Sequence, residues 1–234
     1  LCGAAWLVHD AVMTDAVTRL IAVRHGETAW NREARIQGHT DIPLNDTGLW
    51  QAERVGAAVA QEAIEAIYSS DLQRAHLTAQ AIGRAAGVAV RLEERLRERH
   101  FGELEGLTHE EIHSRWPDQA RRWKQRDPAY GPVGGETLTE FHDRCVGTLV
   151  RLAQRHLGQT IVVVAHGGVL DCFYRAANGI DLTAPRSWTI GNATINRLLY
   201  SPDGLTMVGW ADDGHLAASG GALDESSDGA LAPA

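Results

Sequence analysis

Two apolar runs constrain this chain more than anything else in it. Leu20-Ile21-Ala22-Val23 leads straight into Arg24-His25-Gly26, and Ile161-Val162-Val163-Val164-Ala165 leads straight into His166-Gly167-Gly168. Runs this short and this rich in β-branched residues read as strands. Each ends in a glycine turn that carries an imidazole. Helical patterns separate the strands, which implies a mainly parallel sheet covered on both faces. Open sheets of this kind bind ligands outside the C-terminal ends of their strands, where both His-Gly turns fall. The expected fold class is therefore α/β, a three-layer α/β/α sandwich whose mainly parallel sheet has one antiparallel edge.

The remaining elements follow from pattern and punctuation. Strands are expected over 18–23, 66–68, 88–92, 160–165, 195–200 and 205–210. The last two are joined by Ser201-Pro202-Asp203-Gly204 as a hairpin closing one edge. Helices are expected over 49–64, 72–86, 108–116, 137–157 and 169–177. Ser70 with Gln73, Thr108 with Glu111, and Thr137 with Glu140 have the spacing of N-terminal capping boxes. Pro117 limits the end of the third helix, and Gly158 stops the fourth.

A chain of 234 residues suffices for one well-cored domain. We place an N-terminal extension at 1–17, with Met13 as the natural start, and the domain at 18–210. Residues from about 103 to 135, with Trp116, Trp123 and Tyr130, read as a lid over the sheet edge; 211–234 read as an irregular tail. The net charge of −8 argues against nucleic acid or an anionic membrane as partner. Three scattered cysteines read as reduced thiols in a cytoplasmic protein. No apolar run approaches the ~20 residues that span a bilayer. The other histidines are dispersed, so no metal and no cofactor is expected.

Several further segments occur in a telling order: Arg24-His25-Gly26-Glu27-Thr28, Trp30-Asn31, Gln37-Gly38, Leu44-Asn45-Asp46-Thr47-Gly48, Tyr68-Ser69-Ser70-Asp71-Leu72-Gln73-Arg74-Ala75, Glu98-Arg99-His100-Phe101-Gly102 and His166-Gly167-Gly168. In this the chain resembles the histidine phosphatase superfamily, the phosphoglycerate mutase-like fold, from about residue 18 to 200. The resemblance implies that His25 becomes a phosphohistidine, and that Glu98, ahead of Arg-His-Phe-Gly, is the general acid and base. Spacing alone does not choose Glu98 over Glu94 or Glu103. His166 is expected opposite His25, donating to the phosphoryl oxygens.

The residue types suit that chemistry. A phosphoryl group in flight spreads charge over three oxygens, and Arg24 and Arg74 offer planar forks that match them. Arg74 alone would read as a solvated helix residue; its place at a strand-to-helix turn, the usual phosphate-facing edge, turns the reading toward phosphate. A neutral imidazole attacks through one ring nitrogen while a backbone carbonyl holds the other. Gly26 leaves the phosphate room to approach the backbone. Asn31 and Gln37 are loop amides fit to bond phosphate or substrate hydroxyls, or simply loop polarity. Thr28 caps the turn or touches phosphate, and Gly167 offers a backbone N–H at a helix start. Arg121, Arg122, Lys124 and Arg126 in the lid read as cations for a second anionic group or as a solvated face.

The resemblance branches on what becomes of the phosphohistidine. The lid between Glu98 and His166 is modest, and Ile36-Gln37-Gly38 reads as in the phosphatase branch, where mutases place Thr before Gly. The expectation is a metal-independent phosphomonoesterase of the histidine acid type acting on a small phosphorylated metabolite. A cofactor-dependent phosphoglycerate mutase is the runner-up, and an inactive phospho-ligand-binding member is the third reading. The partner expected is that small substrate, with a homodimer as the candidate assembly.

Overall fold

The computed structural model describes residues 17–217. The expected extension before residue 17, the start at Met13 and the tail from residue 218 lie outside the described residues. The elements are β1 (Thr18–Arg24), α1 (Ala29–Arg32), α2 (Asp46–Val59), β2 (Ile64–Ser69), α3 (Gln73–Ala86), β3 (Val90–Leu92), α4 (His109–Arg115), α5 (Pro117–Lys124), α6 (Leu138–Gln154), β4 (Thr160–Ala165), α7 (Gly167–Asn178), β5 (Ile195–Ser201) and β6 (Gly204–Asp212). One six-stranded sheet runs β3-β2-β4-β1-β5-β6. The four strands from β3 to β1 are parallel; β5 is antiparallel to β1, and β6 to β5. The expected hairpin therefore forms the antiparallel edge.

Side chains alternate across the pleat and divide the core in two. Leu20, Ala22, Ile161, Val163 and Ala165 pack with Phe141, Leu149, Leu170 and Phe173 of α6 and α7. Ile21, Val23, Val162 and Val164 pack with Val55, Val59, Ala79 and Ile82 of α2 and α3. Both faces are covered, which is why every residue of β4 is buried and its sequence is unbrokenly apolar after Thr160.

Register sets the site. Arg24 pairs with Ala165 across β1 and β4, and Ser69 pairs with Val164 across β2 and β4. The next residues, Ser70, His166 and His25, leave the sheet in one row. Ser70 N–H donates to Val164 O and His25 N–H to Ala165 O, each at 3.0 Å.

Several boundaries differ from the sequence reading. The helix expected over 49–64 begins three residues earlier, where Asn45 Oδ1 accepts the Gly48 N–H at 2.8 Å. It stops at Val59, because Ile64 pairs with Thr160 in β2; strand pairing overrides the helical spacing there. Ser70 does not cap α3. Leu72 holds the N-cap position without a side-chain bond, and Asp41 from a distant loop accepts the Gln73 N–H at 2.7 Å. Thr108 and Thr137 do cap α4 and α6 in full capping boxes. Pro117, expected only to end a helix, also opens α5 at its first position. Helix α6 ends at Gln154 rather than near 157, and α7 starts at Gly167 rather than 169. Strand β3 is confined to Val90–Leu92.

The segment read as a lid contains α4 and α5 and packs on Ile36 and Phe101 through Leu104, Ile112, Trp123 and Tyr130. Beyond Trp210 the chain stays ordered: β6 reaches Asp212, and a 3₁₀ turn places Leu216 in the core beside α2 and α3. Cys145 and Cys172 are buried free thiols. Among the described residues no helix is long and apolar enough to cross a membrane.

Candidate active site

The row of strand ends opens on a cleft walled by Arg24, His25, Gln37, Arg74, Glu98, Gly167 and Arg186 among others. His25 Nδ1 lies 2.7 Å from Gly26 O. In a neutral ring Nδ1 therefore carries the proton and donates, and Nε2 keeps its lone pair. Burial, then the charges of Arg74 and Arg24, hold the His25 pKa well below the usual imidazole value. The ring is neutral at physiological pH and shaped to act as a nucleophile.

The glycine after it has a different role from the one read in the sequence. A Cβ on Gly26 would lie 2.4 Å from Gly48 O, and one on Gly48 would lie 2.0 Å from Glu27 O. Gly26 is required so that the turn after β1 can cross the first turn of α2. The Gly26 N–H is held by Thr78 Oγ1 of α3 at 3.0 Å. On the other side Asn192 Nδ2 donates to His25 O at 3.0 Å, and the Ala193 N–H donates to Arg24 O at 3.1 Å.

Arg74 is almost wholly buried, and burial lowers its pKa to about 10, against the opposing pull of Glu98, Asp41 and Glu105. It remains a cation. Its Nη1 donates to Thr40 O at 2.9 Å, its Nη2 to Gly38 O at 2.8 Å, and its Nε to His166 Nδ1 at 3.2 Å. Those carbonyls belong to a loop that Glu105 ties down: its carboxylate accepts from the N–H groups of His39 and Thr40 and from the Thr40 hydroxyl. Arg24 Nη1 donates to Ile190 O.

His166 corrects an expectation. Its ring centroid is 5.1 Å from that of His25, so the two imidazoles do meet. Yet its Nδ1 accepts from Arg74 and its Nε2 contacts Ser70 Oγ at 2.9 Å, which makes Nε2 the protonated nitrogen. The ring is fully buried and is not part of the cleft wall. It stands behind Arg74, with its pKa also pushed well down by burial and then by Arg74, His25 and Arg24. Ser70, expected as a helix cap, is its partner instead.

Glu98 lines the cleft; its Oε2 accepts the Gly168 N–H at 2.9 Å and its Oε1 the Arg99 N–H at 2.8 Å. The first bond sets the carboxylate against the N-terminus of α7. Glu94 points away, exposed and paired with Arg97, and Glu103 bonds Gln119 at the surface. Gln37 and Asn31 separate. Gln37 is in the wall, its Oε1 buried without a partner among the described residues. Asn31 Oδ1 accepts from Thr28 N–H and Oγ1 at 3.0 Å each and from Asn192 at 3.4 Å. Asn31 and Thr28 thus form the α1 capping box, and neither lines the cleft. Three of the four lid cations are engaged elsewhere, Arg126 with Asp171, Arg122 with Asp127 and Arg121 with Asp118; Lys124 is exposed and does not line the cleft.

Arg186, Asn192 and Glu105 were not legible as site residues. Arg186 sits in the coil between α7 and β5, where no periodicity or cap marks a position. Glu105 is one of many acidic residues in a charge-rich stretch.

Comparison with known proteins agrees with the geometry. A family model, histidine phosphatase superfamily (branch 1), matches residues 20–213. "Phosphoglycerate mutase-like protein 4" of Arabidopsis thaliana is 40% identical over 205 residues, covering 86% of this chain and 88% of that protein. "Phosphoserine phosphatase 1" of Hydrogenobacter thermophilus is 35% identical over 175 residues, covering 75% and 82%. The solved structure of YhfR from Bacillus stearothermophilus superposes with a TM-score of 0.80 at 31% identity, covering 85% of this chain and 99% of that one.

Proposed function

This chain belongs to the histidine phosphatase superfamily, and from that membership and the cleft we propose that it is a metal-independent phosphomonoesterase acting on a small phosphorylated metabolite. The observation that carries the proposal is His25: a neutral ring with Nδ1 tied to Gly26 O, in a cleft that also holds Arg24, Arg74 and one carboxyl group, Glu98. The first half-reaction is attack of Nε2 on phosphorus. The phosphorus–nitrogen bond forms, the ester P–O bond breaks, and the proton of the Glu98 carboxyl goes to the leaving oxygen. In the second, water attacks the phosphohistidine. The P–N bond breaks, the water proton returns to Glu98, and inorganic phosphate leaves. Arg24 and Arg74 stabilise the charge on the equatorial oxygens. His166 acts through Arg74, fixing the plane of that guanidinium. A relative named phosphoserine phosphatase supports hydrolysis and a small substrate.

A mutase would use the same first half-reaction and pass the phosphoryl group to a substrate hydroxyl. A relative named phosphoglycerate mutase-like keeps that reading in view. Two assays decide. With chelator present, the protein is expected to release inorganic phosphate from p-nitrophenyl phosphate and from small alkyl phosphates, and His25→Ala to lose both turnover and acid-labile, base-stable phosphoprotein labelling. Unchanged turnover in that variant refutes the mechanism. Isomerisation of phosphoglycerate with primer bisphosphate, faster than phosphate release, refutes the hydrolase.

A further inference from the structure

The cleft contains one cation that the phosphoryl chemistry leaves unused. Arg186 lines it, and its Nε and Nη2 are buried without a hydrogen-bond partner among the described residues. Nη2 is the terminal nitrogen on the Nε–H side of the guanidinium, so these two atoms define the edge that grips an oxyanion with two parallel bonds. Arg74 differs: both nitrogens of the same edge already donate to protein, to His166 and Gly38. Leaving two buried charged donors unmatched costs free energy unless a ligand meets them.

Charge points the same way. The wall carries three arginines, Arg24, Arg74 and Arg186, against one carboxyl group, Glu98, with His25 held neutral. Arg24 and Arg74 are the two cations assigned to the phosphoester dianion, and Arg186 is the third. Of the lid cations that the sequence offered for a second anion, Arg121, Arg122 and Arg126 are paired with aspartates instead, and Lys124 is exposed outside the cleft wall.

We propose that Arg186 is the specificity residue of this cleft, and that it reads a carboxylate carried by the substrate beside its phosphoester. This rests on the phosphatase reading for the position of the phosphoryl group. A carboxylate brings two coplanar oxygens and the single missing charge, the match that the free edge of Arg186 offers.

The test compares 3-phosphoglycerate with glycerol 3-phosphate, which differ only in carboxylate against hydroxymethyl. Binding is measured calorimetrically on His25→Ala, where turnover does not interfere, with Arg186 present and with Arg186→Met or Arg186→Lys. With Arg186 the carboxylated ester is expected to bind at least about tenfold tighter, in line with a charge-assisted bidentate pair. That margin is expected to collapse in the Met variant and to return only in part with Lys, which keeps charge but not the fork. Circular dichroism checks that each variant is folded. No margin with Arg186 present, a margin that survives Arg186→Met, or full recovery with Lys overturns the assignment. Failure of the unmodified chain to hydrolyse p-nitrophenyl phosphate would sink the phosphatase reading separately, since the binding ratio does not depend on turnover.

Discussion

Replacing Glu105 by Gln tests whether the cleft is pre-organised by a residue that never enters it. Its Oε1 accepts the N–H of His39 at 3.0 Å and of Phe101 at 3.1 Å; its Oε2 accepts the Thr40 N–H at 2.9 Å and hydroxyl at 2.6 Å. Four donors converge on one carboxylate whose side chain is 12% exposed. Glutamine matches the shape but turns one oxygen into a donor. With its amide nitrogen on the Thr40 side, the hydroxyl can rotate to accept, while the Thr40 N–H is left facing another N–H. The two bonds that survive become neutral. Hydrogen bonds to a charged acceptor contribute about 1.5–3 kcal/mol net and neutral ones about 1. One lost bond and two weakened ones therefore amount to about 2.5–7 kcal/mol, a large share of the ~5–15 kcal/mol that holds a domain together. Urea titration should show a lower midpoint at unchanged slope. Because Gly38 O and Thr40 O anchor Arg74, kcat/KM for any phosphoester should fall as well, about tenfold, since misplaced charge loses transition-state stabilisation. A variant within about 0.5 kcal/mol of the parent, inside the range of an ordinary surface change, would refute the reasoning.

Two other predictions concern the chemistry. Glu98→Gln should slow alkyl phosphates about 10²–10⁴-fold, the usual contribution of a general acid, and nitrophenyl phosphate far less, because its leaving group needs little protonation; equal losses in steady-state assays would point to another acid. The lowered pKa values of His25 and His166 also fix a sign for stability against pH. Below about 6.5, the ordinary imidazole pKa, the unfolded chain takes up protons that the folded rings refuse. Their contribution is complete above that value and is lost as pH falls through it. Urea midpoints should drop from about pH 7.5 to 5.5, and the drop should shrink in His25→Gln; an equal drop would show that this ring does not carry the effect.

Local signals announced what is local. The apolar runs at 20–23 and 161–165 became the central strands, and the Thr108–Glu111 and Thr137–Glu140 pairs became capping boxes because each needs only neighbours three residues apart. The motif order carried His25, Arg24, Arg74 and Glu98 to one cleft. Elsewhere the local signal was real but a distant partner outbid it. Ile64 fits the spacing of a helix face, yet it follows Thr160 into the sheet. Ser70 looks like a cap, yet its hydroxyl turns to His166 and leaves α3 to Asp41.

The amino-acid order by itself determined the strand–helix alternation, the caps and the identity of the groups gathered at the strand ends. Tertiary structure alone decided what those groups face: that β1 and β4 align in register so that the two imidazoles touch, that His166 serves Arg74, that Asn31 closes a turn while Gln37 reaches the cleft, and that Arg186 arrives from an unpatterned coil. Hydrogen-bond direction and burial depend on atoms brought together from far along the chain, and no window of neighbouring residues contains them.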